Sequence, residues 1–293
     1  MSSGGVSVPA KLLAIVDAFT RERSAYTVTD LARRAGLPLS TTHRLVADLE
    51  RWGGLERGPD RRYRIGLRFV EVAALCPRGP ELRDVALPIM QDLYEACHQN
   101  VQLAVRDGTE GVYVERIAGR RAVPVLTKVG ARWPLHATGV GLALLAYAPP
   151  DVQEQVLAAP LATFTPFTIA DAATLRRTLA EVRRRHYAVS DRQVTDDAYS
   201  VAAPVFGPGG ECVAALSVVV PADDPGRAAW APAVRAAARG ISRHLSAAPP
   251  ADPAGTAPDG SLAGSLTDRG PAGASSPATR RSSSRPRRPA RPG

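Results

Sequence analysis

The chain has 293 residues, 45% hydrophobic and 22% charged, with a formal net charge of +9, enough for two domains that each bury a core. Cys76, Cys97 and Cys212 lie far apart, without the spacing of a zinc site or a disulfide framework, and no apolar run approaches the roughly 20 residues that span a bilayer. With no leader-like start either, the sequence predicts a cytoplasmic protein with no metal, no cofactor and no membrane partner.

The positive charge is unevenly placed. Residues 1 to 78 carry 13 Arg and Lys against 8 Asp and Glu, residues 79 to 247 carry 17 of each, and residues 248 to 293 carry 7 Arg against 3 Asp. A basic head on an electroneutral body is the electrostatic footprint of a phosphate-binding module.

Leu12, Ile15, Val16 and Phe19 make one stripe of an opening helix. Between Thr27 and Gly66 two short helices follow across a turn: Leu31 and Ala32 on the first, and Leu45, Val46 and Leu49 on the second, form apolar faces that pack together. Gly36 falls where the turn requires positive φ, and Pro38 stands just ahead of the second helix, where a missing N–H costs nothing. Ser40 is a candidate N-cap. Thr41, Arg44 and Asp48 lie opposite Leu45 and Leu49, on a face able to enter a DNA major groove. Ser40, Thr41, Thr42 and Arg44 are the candidate contacts, with Arg44 foremost. Gly58-Pro59-Asp60 then turns between short extended runs, presenting Arg57, Arg61, Arg62 and Arg64 along a wing whose natural partner is phosphate.

Gly66 to Leu75 reads as a linker helix through Leu67, Val70 and Ala74, and Cys76-Pro77-Arg78-Gly79-Pro80 breaks it. The predicted domains are therefore 1–65, a linker over 66–80, and 81–247. In the last of these, Leu82, Val85, Ile89 and Leu93 make a helix stripe, and Val101–Val105 with Val112–Ile117 a hairpin around Asp107-Gly108. Gly139–Ala148 is an apolar helix stopped by Pro149-Pro150, Ala172–Arg185 an amphipathic one. Ser200–Val205 and Glu211–Val220 form a long antiparallel hairpin, and Ala229–Leu245 is a closing helix. Strands joined by hairpins with helices between them argue α+β with an antiparallel sheet. From 248 to 293 Pro, Ala, Gly, Ser and Arg predominate, a composition that cannot form a core and predicts a disordered basic tail able to track DNA nonspecifically.

The segments DLARRAGLPLSTTHRLVADLE, GARWPLHATGVGLALLA, SVAAPVF and AALSV resemble the IclR family of bacterial transcriptional regulators, and the resemblance runs from about Lys11 to Leu245. It implies a winged helix-turn-helix, a linker helix and a GAF/PAS-like effector domain. It also implies a homodimer or homotetramer bound to a double-stranded operator and tuned by a small organic acid or aromatic metabolite. The matching effector positions are Gly139 and Val140 at a helix start, Ser190 and Asp191 after the long helix, Ser200 and Ser217 on the last strands, and Val125 with Ala198 as an apolar wall. Where the family commonly has an acidic pair and a glycine before the AAP segment, this chain has Arg192-Gln193 and Asp197-Ala198-Tyr199, which points to a ligand bulkier or less acidic than a small ketoacid. His136, Cys97-His98 and Ser200 are the only parts from which a hydrolase could be built, and none sits in a nucleophile elbow or metal motif. The expectation is a regulator, not an enzyme.

Overall fold

The computed structural model describes residues 6–20, 23–76 and 80–247. The basic tail read from residue 248 onward, with its suggested tracking of DNA, lies outside the described residues, as do residues 77–79 of the linker break.

The N-terminal elements follow the apolar stripes. Helices α1 (Val8–Asp17), α2 (Val28–Ala35) and α3 (Leu39–Trp52) precede a two-stranded hairpin, β1 (Leu55–Arg57) and β2 (Tyr63–Ile65). Ile15, Leu31, Leu45, Val46, Leu49 and Leu55 close one core around Tyr26 and Tyr63. A reciprocal box starts α2: the Asp30 amide donates to Thr27 Oγ1 and the Thr27 amide to the Asp30 carboxylate. Gly36 ends that helix at φ 65°, the left-handed conformation the tight turn demands. Helix α4 (Arg68–Ala74) follows the wing, and its apolar side chains Val70 and Val72, with the flanking Leu67 and Leu75, are exposed.

The C-terminal elements build one six-stranded antiparallel sheet in the order β5-β4-β3-β8-β7-β6. Its strands are β3 (Asn100–Asp107), β4 (Glu110–Ile117), β5 (Arg132–Pro134), β6 (Ala188–Asp191), β7 (Ala198–Phe206) and β8 (Cys212–Pro221). Strand alternation divides the interior in two. Val101, Leu103, Val201, Leu216, Val218 and Val220 face one way, against α5 (Pro80–Cys97) and α9 (Trp230–Ala247). Ala104, Ala202 and Ala215 face the other way, toward α6 (Gly139–Ala146), α7 (Pro150–Ala158) and α8 (Ala172–Arg185). All eight residues of α6 are buried, which is why its sequence shows no polar stripe. The small alanines on the sheet let this helix lie close, and each fully buried leucine on it contributes about 1.5–3 kcal/mol relative to exposure.

Four elements differ from the sequence reading. Pro149-Pro150 ends α6 but also begins α7, with Pro150 in its first turn, where a proline is preorganised for helix. Strands β5 and β6 are short and sit at the two edges of the sheet, too brief to show a period. Helix α3 starts at Leu39 with Pro38 as its cap and no side-chain capping bond, so Ser40 lies inside the first turn and is not the N-cap.

Candidate functional site

The outward face of α3 carries Ser40, His43 and Arg44 exposed and Thr41 half-buried. Arg44 has no ion pair or hydrogen-bond partner among the described residues, which leaves its guanidinium available. Thr42 departs from the sequence expectation. Its side chain is fully buried and its hydroxyl donates to the Pro38 carbonyl at 3.0 Å, because a residue three positions before Leu45 shares the core face of the helix. It cannot reach a base edge. His43, beside Arg44 on the exposed face, was missed because an isolated histidine carries no periodic signal.

The wing pairs Glu56 with Arg64 and Arg57 with Tyr63 in antiparallel register. Arg61 adopts φ 59° at the turn, and its side chain has no partner among the described residues. Asp60 organises the others: it accepts two hydrogen bonds from the Arg64 guanidinium, at 3.3 and 3.0 Å, and one from the Arg62 amide at 3.2 Å. Those bonds, with Arg64 first, hold the Asp60 carboxyl below the usual carboxylate range. Arg57 lies over the Tyr63 ring, 5.8 Å from its centre. All four predicted wing arginines thus fall on one hairpin, with Arg61 unpaired and Arg64 held by Asp60.

On the sheet, the face opposite α5 and α9 ends in a small, partly open cavity. Gln102, Tyr113, Ser200 and Val219 form its floor, Thr138 and Gly139 enter from the start of α6, and Ser190 stands on β6. Two loops roof it, one through Val125, Leu126 and Thr127 and one through Val194, Thr195 and Ala198. No charged side chain lines it. Gln102 Nε2 donates to Thr127 Oγ1 at 2.5 Å, and Asn100 Nδ2 to the Val123 carbonyl at 2.8 Å, so the first loop is tied to β3. Burial drives the Tyr113 phenol well above its ordinary pKa, against the smaller opposing effect of hydrogen bonding to Thr138 and Thr127. It is a neutral hydrogen-bonding group.

Thr138 caps α6, accepting from Gly141 N at 3.0 Å through its hydroxyl and from Leu142 N at 2.8 Å through its carbonyl. The amides of Gly139 and Val140, in the first turn, have no intrahelical acceptor. Gly139 is held to glycine by its neighbour, since a Cβ there would come 2.6 Å from Ser200 Oγ.

Of the eight effector positions implied by resemblance, Val125, Gly139, Ser190, Ala198 and Ser200 line this cavity. Three do not. The Val140 side chain is buried in the core under the sheet. Asp191 turns outward to Arg192, at 2.9 Å, and to Arg227, at 4.0 Å. Ser217 lies fully buried in β8, opposite Gln102 and Ala202, and its hydroxyl has no partner among the described residues. Gln102, Tyr113, Thr127, Thr138 and Thr195 are polar lining residues that sequence reasoning missed. The alternation of β3 marks Gln102 as sharing a face with Ala104, and nothing local marks that face as a binding surface.

His136 is buried, and its Nε2 donates to the Ala162 carbonyl at 2.9 Å, a role in loop packing. Among the described residues no group of three or more His, Cys, Asp or Glu could hold a metal ion, and no helix is long and apolar enough to cross a membrane.

The signature of the IclR helix-turn-helix domain matches residues 8–59, and that of the bacterial transcriptional regulator IclR C-terminal domain matches residues 78–243. The chain belongs to the IclR family. Its relatives include the HTH-type transcriptional regulator XynR of Escherichia coli K12, 30% identical over 71% of this chain and 83% of that protein. The HTH-type transcriptional repressor AllR of Klebsiella pneumoniae is 31% identical over 82% of this chain and 90% of that protein. Among solved structures, an IclR homologue of Microbacterium hydrocarbonoxydans complexed with 4-hydroxybenzoate superposes with a TM-score of 0.79 at 37% identity, covering 83% of this chain and all of that one. The IclR of Thermotoga maritima gives 0.68 at 27%, covering 80% and 97%. This IclR-family chain is a DNA-binding transcriptional regulator, with an N-terminal helix-turn-helix domain and a C-terminal antiparallel-sheet domain.

Proposed function

We propose that this cavity is the effector site, and that a small carboxylate bound there changes the affinity of the helix-turn-helix for a near-palindromic operator. The observation that carries this reading is the composition of the cavity: hydroxyl and amide groups, no ionised side chain, and Gly139 at the start of α6, where the first-turn amides have no intrahelical acceptor. Those amides and the helix dipole favour an anionic group, while Val125, Val194 and Val219 offer an apolar wall for an aromatic or aliphatic body. The relative complexed with 4-hydroxybenzoate makes that compound a suitable first probe.

In this reading residues 1–65 read DNA through Ser40, Thr41, His43 and Arg44 in the major groove, with Arg57, Arg61, Arg62 and Arg64 against phosphates. Residues 66–80 carry the linker helix, and 81–247 sense the effector and assemble the oligomer. The exposed Leu67, Val70, Val72 and Leu75 suit burial against a second copy. The chain works as a cytoplasmic homo-oligomer and performs no catalysis, since His136 is committed to packing. Coupling between the sites equals the effector's difference in affinity for the two DNA-binding arrangements, typically about 1–3 kcal/mol. A thermal-shift panel of carboxylates that includes 4-hydroxybenzoate tests the site: a binder raises the melting temperature by mass action. No response across the panel would reduce the C-terminal domain to an assembly module.

A further inference from the structure

The roof of the cavity is fastened from outside. Between α7 and α8 the chain runs without regular structure from Ala159 to Asp171, and two threonines in this segment reach the loop that joins β6 to β7. Thr165 Oγ1 donates to the Arg192 carbonyl and Thr168 Oγ1 to the Gln193 carbonyl, each at 2.6 Å. Both side chains are nearly buried, at 8% and 7% exposure, so neither bond is shared with bulk water. The two hydroxyls are themselves oriented: Thr168 Oγ1 accepts from the amides of Phe164 and Thr165, at 3.1 and 3.0 Å, and Thr165 Oγ1 accepts from the Phe167 amide at 3.1 Å. Their hydrogens are thereby directed at the loop carbonyls.

The loop they hold forms part of the cavity wall. Arg192 adopts φ 55°, a conformation disfavoured for a non-glycine residue, and its guanidinium rests 4.3 Å from the centre of the Phe167 ring. Its amide donates to the Ala198 carbonyl at 2.9 Å, which closes the base. The next residues along, Val194 and Thr195, are the ones facing the cavity.

We infer that Thr165 and Thr168 are positioning residues that hold the Arg192–Asp197 loop closed over the cavity, and so set how long a bound molecule stays. The statement about bound molecules rests on the effector reading above; the statement about the loop does not. A valine matches threonine in shape and lacks the hydroxyl, which would leave a loop carbonyl without its donor.

The test uses the full chain and the variants Thr165→Val, Thr168→Val, the double variant, and Thr168→Ser, which retains a hydroxyl. Hydrogen exchange at the Arg192 amide, read without ligand, is expected to quicken about tenfold in Thr168→Val, further in the double variant, and to stay at the wild-type rate in Thr168→Ser. 4-Hydroxybenzoate, where it binds, is expected to dissociate faster in the same order. If the double variant does not fold, the single variants decide. Unchanged exchange at Arg192 overturns the inference, and so does an equal rise at the Leu216 and Val218 amides, which would mean general destabilisation. Faster local exchange in a protein that no carboxylate stabilises upholds the clamp and removes the effector reading instead.

Discussion

Gly139 and Ser200 meet where α6 comes down on β7, and the fit admits no side chain at position 139: a Cβ would lie 2.6 Å from Ser200 Oγ, 3.2 Å from Ser200 Cβ and 3.5 Å from Ala202 Cβ. The contact brings the first amides of α6 against the hydroxyl-bearing floor of the cavity. Gly139→Ala is therefore expected to cost about 1–3 kcal/mol of stability through overpacking and to weaken carboxylate binding. Adding Ser200→Ala removes the nearest atom and is expected to recover about half of that loss, a coupling that urea denaturation of the four proteins in the cycle measures directly.

Arg44 stands free on the outer face of α3. Replacing it with alanine is expected to cost about 1–3 kcal/mol on the operator if it reads a base edge, with little change in the folded domain's melting temperature. Competition binding against scrambled duplex separates the roles: an equal loss on both sequences would assign Arg44 to phosphate.

Asp60 holds Arg64 by two hydrogen bonds on the exposed wing and adds a negative charge where phosphate is expected. Asp60→Asn is expected to raise affinity for random duplex several-fold and to steepen the logarithmic salt slope by about 1. A titration from low to moderate salt checks this, and an unaltered slope would place the wing away from the backbone.

Asp30, Asp60 and Asp171 share a direction: Asp30 is hydrogen-bonded first by Thr27, Asp60 by Arg64 and Asp171 by the Thr174 amide, and each carboxyl lies below its ordinary pKa. The unfolded chain then binds more protons than the folded one near pH 4, so stability rises with pH through that window. The contribution is complete above the unfolded pKa, about 3.9, and is lost as pH falls through the folded values. Melting temperatures from pH 6 down to pH 3 should fall, and Asp30→Asn should flatten part of that decline. Asp60 and Asp171 are exposed and Asp30 is partly covered, so the effect is modest and weakens with salt.

Much of this architecture was legible in the sequence because it rests on local rules. Gly36 at positive φ, the Leu45–Leu49 face and the hairpin through Ser200 each follow from short-range stereochemistry or strand alternation. The cavity was legible only in part. Gly139, Ser190 and Ser200 came from a family resemblance, whereas Gln102, Tyr113 and Thr127 meet through pairing between β3, β4 and a loop far along the chain. Ser217 shows the limit from the other side: strand alternation places it on the cavity side of the sheet, next to Gln102, yet it lies outside the lining. Thr42, expected among the DNA contacts with Ser40, Thr41 and Arg44, is turned inward because it shares the core face of the helix with its i+3 neighbour Leu45. Thr165 and Thr168 had no signal at all, because their partners are backbone carbonyls of a distant loop.

Occupancy of the cavity is expected to alter the grip on DNA. Fluorescence anisotropy of the full chain on a labelled duplex from its own upstream region tests it, with and without the carboxylate that most raises its melting temperature. A shift of about fivefold or more in DNA affinity is expected for the wild type. A carboxylate that stabilises the protein yet leaves DNA affinity identical would rule out this coupling.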